Sequence, residues 1–447
     1  MNKKCLIFVP HPDDEVNIGG GLYHQLKKSN YRVHVVIATN GDFVPRLAIT
    51  RANEAVAAQQ ILGYDKLIFL GYGDKYVNKH LYDTESPDRA MSVAGHSETY
   101  NIGGYETFRF QQNGIQSPYN RESYKCDIKD LVLAEQADLI ICVGTDSHQE
   151  HRCLSLLFEE AMGEILKETP YKPVVLTKFA YLGVYCGKED YFSSVAEETK
   201  PHYQRKEDPV LAYPFNWHDR LQFQNSLKNT SLLFWRSSIF KALLCHKSQG
   251  AFMQFTTIAN GDDVYWWRNV NNIALDADIQ VSSGNPRYIN DFKIVDTDEI
   301  LSFSESIIPS KIKCWHPSSD DKKRTIHIRL KKATAISAIN IYSTMEDRCS
   351  SVVIAMSNGY EERFEMTRYP VTHLLFKHQE NITEIYLRFE QDRDIYVHEI
   401  EVFEHLDSFP FADLGLERFE PSIARNKSLT SIMKSIYRIY RSIKIRL

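Results

Sequence analysis

Apolar residues in the first part of the chain fall into short unbroken runs, each closed by a polar turn. Runs at 5–9, 32–38, 66–70, 138–143 and 172–181 have this form. Apolarity without alternation predicts strands buried on both faces. Between the runs, residues 22–28, 49–62 and 124–136 carry helical spacing. The alternation predicts an α/β fold, a Rossmann-like, mostly parallel sheet with helices on both faces. Two more helices are expected at 217–227 and 237–248. Residues 76–123 interrupt the alternation with many Tyr, Ser, Asn and Gly. A loop of that length serves either as a lid or as packing.

Around residue 290 the pattern changes. Short β-rich runs follow one another at 325–330, 335–342, 351–356, 361–366, 371–377, 382–389 and 395–404, separated by turns such as Ser357-Asn358-Gly359. This spacing predicts an all-β jelly-roll sandwich. In the tail, Leu429, Ile432, Met433, Ile436, Tyr440, Ile443 and Leu447 recur at helical spacing. Arg425, Lys427, Lys434, Arg438, Arg441, Lys444 and Arg446 share that segment with no acid. The expected organisation is 1–290, an α/β domain; 300–405, the β-sandwich; and 406–447, a linker and a basic amphipathic C-terminal helix. Because every candidate catalytic residue precedes 290, a chain ending there is expected to fold and act alone.

Composition narrows the class. The chain has 447 residues, 43% hydrophobic and 25% charged, enough for two globular cores. A net charge of −5 argues against nucleic acid as a partner. The eight cysteines are scattered without a CxxC pair, as expected of buried free thiols in a reducing compartment. The apolar run after Lys3 and Lys4 is too short for a signal peptide, and no run reaches transmembrane length. The expected location is cytoplasmic.

Two strand-end turns carry the chemistry. The first is Val9-Pro10-His11-Pro12-Asp13-Asp14-Glu15; the second is Gly144-Thr145-Asp146-Ser147-His148-Gln149-Glu150-His151-Arg152. Open α/β sheets bind ligands at the carboxyl ends of their strands. His148 and His151 share a face if the second turn opens a helix. His11, Asp14 and His151 would offer Zn2+ two imidazoles and a carboxylate, leaving an open position as catalytic zinc sites do. A solvated acidic turn is the competing reading of Asp13-Asp14-Glu15. A histidine between two prolines argues against it.

Pro-His-Pro-Asp-Asp-Glu with a distant Asp146-x-His148-x-Glu150-His151-Arg152 resembles the LmbE-like (PIG-L) zinc-dependent de-N-acetylases. The resemblance continues through Thr39-Asn40-Gly41-Asp42, Arg51 with Glu54, Leu62-Gly63 and Phe69-Leu70-Gly71-Tyr72-Gly73-Asp74. It implies a hydrolase that removes acetyl from an N-acetylated amino sugar of the N-acetylglucosamine type. By the same resemblance Asp13 is the general base, and a protonated His148 steadies the carbonyl oxygen or protonates the leaving amine. Asp146 and Glu150 orient the histidines, Glu15 orients the turn, and Asp42, Arg51 and His96 contact the sugar. Glu150 departs from the family's more usual Asp. A helix salt bridge competes as the role of Arg51. His246, in a late segment also similar to the family, either approaches the pocket or is satisfied at a helix end.

Trp315-His316-Pro317 and His398-Glu399-Ile400-Glu401-Val402-Phe403 resemble galactose-binding-like modules of the discoidin type, which implies a glycan ligand beside the alternative of a structural appendage. An inactive glycan-binding scaffold is therefore the competing function. A nucleotide-sugar transferase is disfavoured, because no GxGxxG follows the first strand. The basic tail predicts an anionic membrane surface as partner, at the inner face, where the sugar could be lipid-linked. Docking of its apolar stripe on the protein's own acidic body or on a second subunit competes.

Overall fold

The computed structural model describes residues 3–180, 185–186, 191–195, 197–201, 215–298, 300, 309–345, 351–367, 370–390, 394–406, 408–420, 431–436 and 438–439. Five strands form the parallel heart of the first sheet: β1 (Lys3–Val9), β2 (Tyr31–Thr39), β3 (Lys66–Tyr72), β4 (Leu139–Val143) and β5 (Val174–Lys178). β6 (Leu221–Gln224) and β7 (Asp262–Arg268) extend it antiparallel, giving the order β6-β7-β5-β4-β1-β2-β3. Leu6, Ile7, Val35, Ile37, Ile140 and Ile141 are buried, as strands covered on both faces must be. The expected helix at 217–227 is absent. A single turn at Trp217–Asp219 leads into β6. There Leu221 and Phe223 alternate with glutamines, a period of two that pairing with β7 exploits.

The second sheet holds β8 (Asp278–Val281), β9 (Thr325–Met345), β10 (Ser351–Met356), β11 (Glu361–Glu365), β12 (Val371–Glu390) and β13 (Ile395–Phe403). Its order is β8-β9-β12-β10-β11, with β13 on the later half of β9. The runs expected at 325–330 and 335–342 join as β9, and those at 371–377 and 382–389 join as β12. Register shifts between Arg329 and Ala338 bend the β9–β12 pair, so its two halves carry different neighbours. Ile328, Ile339, Val352, Leu387, Val397 and Ile400 fill the core with Trp315.

The two units interlock. β8, Ala274 and Ile289 belong to the sandwich, although the sequence reading placed them before the boundary at 290. Buried Arg268 donates from Nη1 to Glu401 Oε1 at 3.0 Å and from Nη2 to the Phe292 carbonyl at 2.8 Å. Glu399 accepts the N–H groups of Asp291 and Phe292. Beyond the sandwich the chain returns to the first unit. Phe409, Leu414 and Leu416 join its core, and the Glu417 N–H donates to Gln25 at 2.7 Å. Residues 431–436 and 438–439 are helical. Arg425, Lys427, Leu429, Tyr440, Arg441, Ile443, Lys444, Arg446 and Leu447 lie outside the described residues, as does the side chain of Tyr437. Six cysteines are described as free thiols, with Cys5, Cys142, Cys153 and Cys314 buried. No helix among the described residues is long and apolar enough to cross a membrane.

Candidate active site

The turns after β1 and β4 flank the place where strand order reverses, the usual ligand position of such sheets. After β1, the helix Asp14–Gly19 begins directly behind Pro12 and Asp13. Asp13 has φ 143°, a conformation L residues avoid. Strain of about 1–3 kcal/mol persists only where the surroundings impose it. Here the Asp13 N–H donates to Glu15 Oε2 at 2.8 Å, and Glu15 Oε1 lies 2.7 Å from His246 Nε2. Glu15 and His246 are both fully buried.

After β4, His148 caps the helix Gln149–Glu168, its Nδ1 accepting the Glu150 N–H at 3.2 Å. His151 follows on the first turn. His11 Nδ1 lies 3.1 Å from Asp14 Oδ2, and His151 Nε2 lies 3.3 Å from the same oxygen. Donor atoms bonded at about 2.0–2.1 Å to one tetrahedral ion stand roughly 3.3 Å apart, close to both distances from Asp14 Oδ2. His148 lies alongside, with ring nitrogens of His11, His148 and His151 all within 4.8 Å of one another. The opposite ring nitrogens are held by carboxylates: His11 Nε2 by Asp74 Oδ1 at 3.3 Å, and His151 Nδ1 by Asp146 Oδ2 at 2.8 Å. Such partners fix the tautomer of a metal-binding imidazole.

The electrostatics agree with that fit. Burial opposes charge on both rings, but Asp74 and Asp14 lift His11 to about 10, and Asp146 and Asp14 lift His151 to about 9. Against its own burial, Asp14 is held well below the usual carboxylate range by His151 and His11. The cluster thus favours positive charge where a divalent cation would supply it. Asp13 moves the other way, raised by burial and by Asp14. Arg51 opposes that rise, with Nη2 3.8 Å from Asp13 Oδ1 and Nη1 3.6 Å from Asp74 Oδ2.

Residues 6–162 match the family model described as GlcNAc-PI de-N-acetylase. They form a PIG-L domain.

No curated protein matches the chain. Among solved structures, N,N'-diacetylchitobiose deacetylase from Pyrococcus horikoshii is similar at 20% identity and TM-score 0.27, over 40% of this chain and 61% of that one. The chain therefore spans about three-fifths of that protein. GalB, the 4-carboxy-2-hydroxymuconate hydratase from Pseudomonas putida KT2440, is similar at 14% identity and TM-score 0.32, over 59% and 95%. The family 32 carbohydrate-binding module of C. perfringens NanJ, solved with galactose, is similar at 17% identity and TM-score 0.23, over 30% and 97%.

Other expected residues of the PIG-L domain take distinct places. Asp146 lies at both histidines, its Oδ2 2.8 Å from His151 Nδ1 and its Oδ1 accepting the His148 N–H at 2.9 Å. Glu150 meets His148 through its backbone N–H, while its carboxylate Oε1 accepts the Lys75 N–H at 3.0 Å and lies 3.3 Å from His80 Nε2. The longer arm reaches the loop after β3, where the sequence offered no signal for His80. Asp42 is buried and braces two loops, accepting the Asp74 N–H at 2.6 Å and the Tyr100 hydroxyl at 2.8 Å. Both its oxygens thus face protein donors. His96 stacks on Tyr100 at 3.9 Å, one residue removed from Asp42. Arg51 lies at the centre itself. Burial and the charges on His11 and His151 push the His148 pKa down to about 2, which favours a neutral ring. With Nδ1 accepting from the backbone, the neutral ring carries its proton on Nε2. Asp74, quoted in the family motif but given no role from the sequence, ends the third strand-end turn of the same sheet and lies at His11 Nε2.

Proposed function

We propose that this protein is a zinc-dependent hydrolase that removes the acetyl group from an N-acetylated amino sugar. What supports the reading is that Asp14 Oδ2 lies 3.1 Å from His11 Nδ1 and 3.3 Å from His151 Nε2, with Asp13 its neighbour in sequence. His11, Asp14 and His151 would hold the ion, with Asp74 and Asp146 behind the rings. Bound zinc supplies activation of water and polarisation of the acetamide carbonyl. Asp13, unliganded and held at its strained turn by Glu15, takes the proton of the attacking water. Its raised pKa makes it a stronger base than an ordinary carboxylate. His148 donates its Nε2–H to the oxygen that gains charge as the carbonyl becomes tetrahedral. Arg51 keeps the Asp13 carboxylate ionised and oriented. Collapse releases acetate and the free amine, which receives the proton that Asp13 collected.

The sugar is N-acetylglucosamine-like in this proposal, and the β-sandwich contributes a glycan contact. The competing inactive scaffold is not favoured, because His11, Asp13, Asp14, His148 and His151 are all retained in the sequence, and the three histidines lie together with Asp14. Placement in the cytoplasm, against the inner face of the membrane, stays part of the proposal. The test is acetate release by the zinc-loaded chain from free, nucleotide-linked, lipid-linked and polymeric N-acetylglucosamine. Release from at least one form is expected. Release from none, with zinc bound, would leave the scaffold as the better account.

A further inference from the structure

Residues 221–261 contain four cations, Lys228, Arg236, Lys241 and Lys247, and no acid. Residues 421–447 contain seven cations and no acid. Together they hold eleven of the chain's 53 Lys and Arg and none of its 58 Asp and Glu, in a protein of net charge −5. The bias belongs to the segments themselves, since Glu54 from another helix accepts from Ser248; the clustered cations favour an anionic partner.

The fold brings the described part of the tail, residues 431–436 and 438–439, against the module built by residues 221–261. The helix Ser238–Cys245 packs on the turn Phe234–Arg236, on the turn Ala251–Gln254 and on the short helix Phe255–Ile258. Aromatic rings hold these pieces together: Phe234 on Phe240 at 5.2 Å, Phe240 on Phe255 at 4.8 Å, and Phe255 on Tyr191 at 4.6 Å. Tyr191 opens the turn of helix Tyr191–Ser194. The tail helix docks on that same turn, with Lys434 Nζ donating to Ser193 Oγ at 2.6 Å and Met433 buried in the core.

This module exposes several large apolar side chains. Leu227 is 73% exposed, Trp235 49%, Met253 74% and Ile432 56%, and Phe252 and Ile436 are exposed with them. Lys228, Arg236, Lys241 and Lys247 are exposed among them. Isolated exposed apolar residues need no explanation, but a group of large ones gathered on one module marks an interaction site. Ile432 and Ile436 are four apart on the tail helix and lie on its outer stripe.

We propose that this module seats the protein on an anionic lipid bilayer, with Trp235, Phe252, Met253, Ile432 and Ile436 entering the headgroup boundary and the surrounding cations meeting lipid phosphates. A second copy of the chain is a poorer occupant. A two-fold contact would set Lys228, Arg236, Lys241 and Lys247 against their own copies. Leu, Ile and Met beside Trp suit the acyl boundary, and each cation near an anionic surface strengthens binding about fivefold. The proposal does not depend on the reaction assigned above, because its readout is binding.

Cosedimentation of the full chain with vesicles tests it, comparing phosphatidylcholine alone with phosphatidylcholine containing about one-third phosphatidylglycerol. Binding is expected on the anionic vesicles only and should weaken as salt is raised, since screening acts on exposed charges. The triple change Trp235→Ser, Phe252→Ser, Met253→Ser and the pair Ile432→Ser, Ile436→Ser should each lower the partition constant at least about tenfold. The charge reversals Lys228→Glu and Arg236→Glu should do the same without touching an apolar contact. Unchanged thermal melting shows that each variant is folded. Failure of the full chain to sediment with anionic vesicles overturns the proposal, as does equal binding by all variants. A dimer that dissolves in the serine variants, with no vesicle binding, overturns it in favour of self-association.

Discussion

Replacing Glu401 by alanine tests how the two units are joined. Glu401 is buried in the sandwich, and its carboxylate meets three donors: Arg268 at 3.0 Å from the first unit, Asn340 at 3.0 Å and the Tyr342 hydroxyl at 3.2 Å. Arg268 is also buried. Two further acids act on it, Glu159 at 3.7 Å and Glu399. Burial raises Glu159 to about 7 against the pull of Arg268, so at neutral pH it replaces Glu401 poorly. Glu401→Ala therefore leaves a buried guanidinium without its main partner, a loss of about 3–5 kcal/mol. Glu401→Gln keeps acceptors for Asn340 and Tyr342 and should cost about 1.5–3 kcal/mol. Urea unfolding followed by tryptophan fluorescence reads both units, because Trp266 and Trp315 are buried one in each. A change below about 1 kcal/mol for the alanine variant would refute the reasoning. By the same contacts, a chain ending near residue 290 should be insoluble or non-cooperative, contrary to the expectation from sequence, because β8 and Arg268 lose their partners. A sharp melt of that truncated chain would show the interface to be dispensable.

Asp74→Asn and Asp146→Asn should each weaken zinc binding about 10–100-fold, measured by chelator competition; unchanged affinity would mean that the ring tautomers are fixed elsewhere. His148→Ala should keep zinc and lose activity, whereas loss of metal would make His148 a ligand. The base acts as carboxylate, so kcat/KM should fall as pH drops through the raised pKa of Asp13. Arg51 lowers that pKa, and Arg51→Met should move the inflection to higher pH; a stationary inflection would remove Asp13 from the titration.

Much of the first unit was readable because each parallel strand is a run without alternation, and each run ends in a turn whose side chains have nowhere to go but the ligand crevice. His11, Asp14, Asp146, His148 and His151 follow from that rule, and Asp74 obeys it too. What could not be read depends on pairing over long distances. His246 meets Glu15 across 231 positions, and nothing local announces it. β6 was mistaken for a helix because four residues give little period and only β7 selects the extended form. β8 was missed for the same reason, being held by β9. Glu150 was assigned to the histidines from its neighbours in sequence, while its arm length carries it to Lys75 and His80. In the sandwich, the bends within β9 and β12 lie where turns were expected, since a bulge and a turn share the same break in alternation.

The most direct test of the central claim is single-turnover acetate release by zinc-loaded Asp13→Asn beside the wild-type chain, with zinc content measured on the same samples. The account predicts about one zinc in both proteins and a rate about 10²–10⁴-fold lower in the variant. Equal rates at equal zinc content would contradict it.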